Sequence, residues 1–332
     1  MLWPIRYKLL PDELLSSWLV RLAHGFGLKV QTFSNLLFGC NYQVWNRDID
    51  RFAPDWLVEQ LSSHTGTPKV RSYNSTLRSY EGILFDCYKA SGALPWIQSL
   101  KIYHRKRNGF GVQFCGACLK EDTRPYFRKR WRLAFNTICS KHDAMLQDRC
   151  PACGAAVAFH RIDMRHRDGS DATSLAICHA CSFNLSESPL GPIVHYDTES
   201  LKWQKMLAAN LEVHCDRPDL AIPVDEMRVL HHLVALFLSR YESVKLRQFV
   251  CAELGIEDFV SVSGRLTIES RPLRERHLLV QLGAWLLLDL KTRLTTAWHC
   301  RAVRYNSLLK DFDQAPNFYA QVVDQLPRRG GK

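Results

Sequence analysis

The chain has 332 residues, 46% of them hydrophobic and 23% charged, a length and balance that fit a folded protein of two or three domains and exclude wholesale disorder. Its formal net charge of +11 points towards a polyanionic partner, because displacing counterions from nucleic acid drives binding to basic surfaces. The longest apolar runs, such as 233–238 and 285–288, fall far short of a membrane span, and residues 1–6 carry no apolar secretion segment, so a cytoplasmic, DNA-associated protein with no membrane contact is expected.

The first hundred residues read as helical. Pro11, Asp12 and Glu13 suit a helix start, and Leu14, Leu15, Trp18, Leu19 and Leu22 follow at helical spacing until Gly25 and Gly27. A shorter helix is expected over Thr32–Phe38, and another from Pro54 with Trp56, Leu57, Gln60 and Leu61 on one side. The turn Thr65–Pro68 then leads into a helix expected from Lys69 to about Tyr80. Two helices so joined suit a helix-turn-helix whose second member offers Lys69, Arg71, Asn74, Ser75 and Arg78 to a polyanion. A plain helical hairpin with a solvated polar face fits the same pattern.

Residues 101–181 change character, becoming rich in Cys, His, Arg and Gly, and Glu187–Pro192 reads as a linker. Helices are expected beyond it at roughly 199–212, 225–241, 244–254, 271–290, 293–310 and 316–326, with a disordered tail from Pro327. The expected architecture is mainly α with small zinc-stabilised β/loop modules. It comprises a helix-turn-helix-like N-terminal domain (1–100), a tandem zinc-finger middle (101–190) and a helical C-terminal domain (191–332).

The twelve cysteines of a reducing compartment suggest metal rather than disulfides. Four paired units stand in order: Cys115/Cys118, Cys139/His142, Cys150/Cys153 and Cys178/Cys181, each with a two-residue gap that lets a tight knuckle aim both side chains at one ion. Sequential pairing gives two structural zinc ions. Cys115, Cys118, Cys139 and His142 hold one, and Cys150, Cys153, Cys178 and Cys181 hold the other; an interleaved cross-brace is the alternative. His160, His166 and His179 are substitutes at the second site, and Cys40, Cys87, Cys215, Cys251 and Cys300 are expected to be buried small hydrophobes.

Four-ligand sites leave no vacancy for water or substrate, which argues for structure over catalysis. The chain has no Gly-x-x-x-x-Gly-Lys-Ser/Thr loop and no His-Glu-x-x-His, and none of its thirteen histidines is followed two residues later by glutamate. Asp48 and Asp50 beside Arg47 and Arg51 read as charge-paired capping residues rather than a metal centre. The expectation is a binding protein, not an enzyme.

Several segments together resemble the TniQ family, which includes the TnsD-type target selectors of bacterial transposons. They are Leu10–Ala23, Phe33–Gly39, Asp48–Asp50, Phe114–Asp122, Pro125–Arg128, Trp131–Ala134 and Cys139–His142, followed by Leu146 and Cys150–Gly154, with Gly116 where the family often has proline. The resemblance covers roughly residues 5–185. It implies a non-catalytic targeting adaptor that reads DNA directly or joins a CRISPR effector complex with its guide RNA, recruits an AAA+ ATPase that brings in the transposase, and in the RNA-guided members often forms a homodimer. Under that reading Lys106, Arg107, Lys129 and Arg130 are expected to hold nucleic-acid backbone, with Phe127 and Trp131 in the core. A zinc-containing transcription regulator is the rival reading, and a nuclease with an unrecognised metal site a third.

Overall fold

The computed structural model describes residues 2–89, 91–100, 102, 109–164, 174–213, 223–239, 245–261 and 266–327. The chain is mainly helical. Thirteen α-helices and one two-stranded antiparallel sheet lie among the described residues, and none of the described helices is long and apolar enough to cross a membrane. Buried side chains from the N-terminus, the cysteine-rich middle and the C-terminal helices form one hydrophobic cluster.

Helix α1 (Leu15–Gly25) is the centre of the N-terminal region, with Leu15 to Ala23 all buried. It has neither a capping side chain at Leu14 nor an acid in its first turn, so its leading N–H groups need acceptors from elsewhere. Distant segments provide them. Leu14 N donates to Phe127 O at 2.9 Å and Leu15 N to Ser75 O at 3.0 Å. The Asp50 carboxylate accepts from Ser16 N at 2.7 Å and Ser16 Oγ at 2.8 Å.

Asp50 in turn shares Arg132 with Asp48. The guanidinium donates to Asp50 Oδ2 at 3.1 Å, to Asp48 Oδ2 at 2.5 Å and to Gln98 O at 3.0 Å, and Arg132 and Asp50 have no side-chain exposure. Asp48 and Asp50 are therefore charge-paired as expected, with hydrogen-bonded ion pairs to an arginine more than eighty residues away, while the Asp48 charge also acts on Arg51. Beside this, Glu13 binds Arg21 through Nε and Nη2 at 2.7 and 2.5 Å.

Around α1 lie α2 (Val30–Phe38), the single turn α3 (Ile49–Phe52), α4 (Asp55–Thr65) and α5 (Lys69–Asn74). The last two are joined by residues 66–68, but α5 stops well before Tyr80, and a 3-10 turn covers Leu77–Tyr80. The hydroxyls explain the early stop: Ser75 Oγ and Thr76 Oγ1 donate to the carbonyls of Ser72 and Tyr73, which competes with continuing the helix.

In the middle region α6 (Gly116–Glu121) is followed by a buried 3-10 turn, Lys129–Arg132, and by the hairpin β1 (Ile138–Cys139) and β2 (Ala144–Met145), in which Cys139 pairs with Ala144. The C-terminal region holds α7 (Thr198–Val213), α8 (Val224–Phe237), α9 (Leu246–Leu254), α10 (Leu273–Leu288), α11 (Leu290–His299), α12 (Tyr305–Leu309) and α13 (Asn317–Asp324). The span 293–310, expected as one helix, is two. Arg301 takes φ 58° and Ala302 N returns to Ala297 O at 2.9 Å, a left-handed helix end.

Helix α10 packs against α7, α8 and α9 and docks on the middle region through buried polar groups. Arg276 donates to Ala134 O at 2.9 Å, and His277 Nδ1 lies 2.8 Å from Thr137 Oγ1. Glu269 accepts from Trp96 N at 2.9 Å and lies 2.8 Å from His231 Nε2. Contacts therefore cross both expected domain boundaries, near residues 100 and 190. Of the expected disordered tail, Pro327 is described and residues 328–332 lie outside the described residues.

Removing one partner from a buried ion pair leaves uncompensated charge at a cost of about 3–5 kcal/mol. Arg132→Met is expected to lose that much in urea unfolding, and Asp48→Asn with Asp50→Asn in the same chain to recover part of it. Burial, opposed by Arg132 and reinforced by Asp48, raises the Asp50 carboxyl to about 6. A carboxyl raised on folding binds protons more tightly in the folded chain, so between its unfolded value and about 6 this group adds stability as pH falls. The stability difference between the native chain and Asp50→Asn, followed from pH 7 to pH 5, is expected to shift in favour of the native chain.

Candidate metal centres

Cys115 stands immediately before α6 and Cys118 in its first turn, while Cys139 ends β1 and His142 lies in the turn before β2. The first cluster thus ties a helix start to a hairpin. Its three cysteines are almost fully buried. His142 Nδ1 lies 3.4, 3.3 and 3.5 Å from the sulfurs of Cys115, Cys118 and Cys139, and Cys118 and Cys139 are 3.6 Å apart.

The second cluster is built from two turns of the same form. Gly154 N donates to Cys150 O at 2.9 Å, and Ser182 N to Cys178 O at 2.9 Å. Gly154 and Ser182 sit at φ 69° and 63°, the left-handed conformation that folds each loop back under its cysteines. Cys150 and Cys178 are buried and Cys153 and Cys181 exposed. Sulfur separations are 3.7 Å between Cys150 and Cys181 and 3.8 Å between Cys153 and Cys178.

Both donor sets fit a tetrahedral ion. Four thiolates at the usual zinc–sulfur distance of about 2.3 Å stand about 3.8 Å apart, against the 3.6–3.8 Å found here. In each cluster all four donor atoms lie within 4.8 Å of one another, grouped sequentially rather than interleaved. His142 adds an independent sign. Its Nε2 lies 2.9 Å from Glu121 Oε1, and Lys141 holds the other carboxylate oxygen at 2.6 Å. Donating Nε2–H to a carboxylate fixes the tautomer that leaves the Nδ1 lone pair towards the sulfurs, the arrangement usual for a metal-bound histidine.

Neither His160 nor His179 joins a cluster. His160 stacks on Trp45 with ring centroids 5.3 Å apart, and burial lowers its pKa to about 3, so it is a neutral core group. His166 and Cys215 lie outside the described residues. Of the cysteines expected in the interior, Cys251 is buried, but Cys40, Cys87 and Cys300 are exposed.

The basic residues are placed less simply. Lys129 is 1% exposed, and its Nζ donates to Asn74 O at 2.6 Å and Ser79 Oγ at 3.1 Å while lying over the Tyr80 ring. Arg130 is tied to Asp12 at 3.0 Å and Glu212 at 3.3 Å. The expectation that these two face a phosphate backbone is therefore corrected: buried acceptors and acids within the fold already use their charge. Phe127 and Trp131 are core residues as expected, at 0% and 1% exposure. In the α4–α5 unit Ser75 is buried, Lys69 is exposed but paired with Glu59, Arg78 is held by Asp55 at 2.7 Å, and Arg71 is exposed. Lys106 and Arg107 lie outside the described residues.

The buried Asp48–Asp50–Arg132 group, the hairpin carrying Cys139 and His142, and the helix carrying Cys115 and Cys118 all fall within one matched region: a family model covers residues 4–146. That model is TniQ, and residues 4–146, somewhat less than half of the chain, are similar to that family. The family is one of transposition-associated target-selection proteins. Comparison with curated proteins gave no match.

Loss of a partner behind a metal-bound histidine typically weakens metal affinity about 10–100-fold. Glu121→Gln is expected to do so at the first cluster alone. Competition with a chromophoric chelator should show one of the two ions of each chain leaving at lower chelator concentration, with the second unchanged.

Proposed function

We propose that the protein is a non-catalytic transposition targeting adaptor, linking a target-recognition element to an AAA+ ATPase and its transposase. The observation that carries this reading is the TniQ match over residues 4–146, a family of target-selection proteins without catalytic activity of its own. The two four-donor clusters support it in a second way. A metal with four protein ligands has no open position for substrate, so the ions, which we assign as zinc, act as structural staples. In this assignment Cys115, Cys118, Cys139 and His142 hold one, and Cys150, Cys153, Cys178 and Cys181 the other.

The target is reached either by direct DNA binding or through a CRISPR effector complex with guide RNA, in the cytoplasm and at the nucleoid. The net charge of +11 suits both. For direct contact the α4–α5 unit serves as the helix-turn-helix-like element, with the exposed Arg71 its leading phosphate contact, Arg78 steadying it from Asp55, and Lys106 and Arg107 as further contacts. The three-part division 1–100, 101–190 and 191–332 then assigns targeting, metal-stapled support and partner or homodimer contacts in turn.

Co-expression of the tagged chain with its genomic neighbours tests the reading. Recovery of an AAA+ ATPase is expected in either form of it, with a CRISPR effector and guide RNA if targeting is RNA-guided and with DNA alone if it is direct. Recovery of neither, together with a symmetric footprint on a palindromic operator, would overturn it in favour of a transcription regulator. If DNA is bound directly, Arg71→Ala should weaken binding to all sequences alike and reduce the slope of log affinity against log salt by about 1. An unchanged slope would remove α5 from the contact surface.

A further inference from the structure

A cavity of about 390 Å³ opens where α1, the N-terminal segment, the stretch just after α6 and the stretch leading to Cys178 meet, and no metal-cluster ligand is among its described lining residues. Its walls are Tyr7, Arg21, His24 and Gly25 on one side and Thr123, Arg124, Pro125, Ser174 and Leu175 on the other. Among the described residues, two arginines, a histidine and three hydroxyls line it. That volume is within the range of small-ligand sites, about 300–1,000 Å³.

Among the described residues, the two arginines of this cavity are held in different ways. Arg21 is anchored by Glu13 through Nε and Nη2 and by Lys8 O at 2.9 Å, bonds that do not use its Nη1. Arg124 forms no ion pair among the described residues. Its guanidinium instead lies over the Tyr7 ring, 4.4 Å from the centroid, on an exposed stretch of chain. The ring is itself held in place by close packing. A Cβ on Gly25 would stand 2.5 Å from Tyr7 Cε2, so only glycine at the end of α1 lets Tyr7 lie against the helix as a wall of the cavity. An arginine stacked on a tyrosine is already oriented, and so loses less freedom when it engages an anion.

We propose that this cavity binds the phosphate of a nucleotide-sized ligand, with Arg124 and Arg21 Nη1 as donors and the hydroxyls of Thr123 and Ser174 beside them. Planar guanidinium groups recognise phosphate through paired hydrogen bonds. The same chemistry comes from two sources, the phosphorylated end of a nucleic-acid strand and a free mononucleotide.

The metal-loaded full chain is titrated calorimetrically at low salt with adenosine 5′-monophosphate, and with a short single-stranded oligonucleotide bearing either a 5′-phosphate or a 5′-hydroxyl. Binding of a phosphate-bearing probe is expected. Preference for the 5′-phosphorylated strand over both its hydroxyl form and the mononucleotide assigns a strand end, and equal or tighter binding of the mononucleotide assigns the free ligand. Arg124→Gln should weaken the preferred probe about tenfold or more, as losing a charge-assisted contact does, with no change in melting temperature. Arg47→Gln, at an exposed arginine outside the cavity, should leave binding as it is. Failure of all phosphate-bearing probes to bind at millimolar concentration, or equal binding by Arg124→Gln, would overturn the proposal.

Discussion

Helix α1 starts with N–H groups that its own sequence cannot cap, and the molecule is arranged around supplying them. Ser75 and Phe127 lend carbonyls, and Asp50 lends a carboxylate that also bonds the Ser16 hydroxyl. A buried anion at that position is favourable for the helix dipole but costly to desolvate, and Arg132 offsets the cost for Asp50 and Asp48 together. Because Arg132 also donates to Gln98 O, one guanidinium fixes the helix start, the turn at Asp48 and the chain leading to Trp96. Trp96 and Gln98 bring the C-terminal helices into the same arrangement, through the bond from Trp96 N to Glu269.

The metal clusters hold what this network does not reach. The first joins α6 to the hairpin just beyond Arg132, and the second closes the two loops that follow. Their environments differ. One is buried up to the edge of His142, whereas the other leaves Cys153 and Cys181 open to solvent. Oxidants and chelators therefore reach the second cluster first, and the first is shielded by the residues it organises.

The donor sets were legible in the sequence because a two-residue gap between ligands is a local requirement that the backbone meets in one turn. The N-terminal and C-terminal helices were legible from apolar spacing for the same reason. What escaped was non-local. Lys129 and Arg130 sit in a run of basic residues that reads as a charged surface, yet the turn carrying them is drawn inside by Asp12, Asn74 and Glu212. Three acids near the N-terminus, Asp12, Asp48 and Asp50, were the available signal: each, if buried, needs a cation, and their ion pairs are with the distant Arg130 and Arg132. The end of α5 at Asn74 and the break near Arg301 depend on side-chain bonds and a left-handed residue that periodicity does not register.

The distance along the chain between α1 and its caps has a consequence for synthesis. A ribosome that has delivered residues 1–100 has made the helix but not Phe127 or Arg132, and at bacterial rates of about 5–20 residues per second the missing segment takes some seconds more to emerge. During that interval Leu14 N lacks the Phe127 carbonyl, and the carboxylates of Asp48 and Asp50 lack the Arg132 guanidinium that neutralises them in the folded chain. The nascent chain must therefore wait, exposed to chaperones and to its own neighbours on the polysome, until the arginine that closes the structure leaves the exit tunnel.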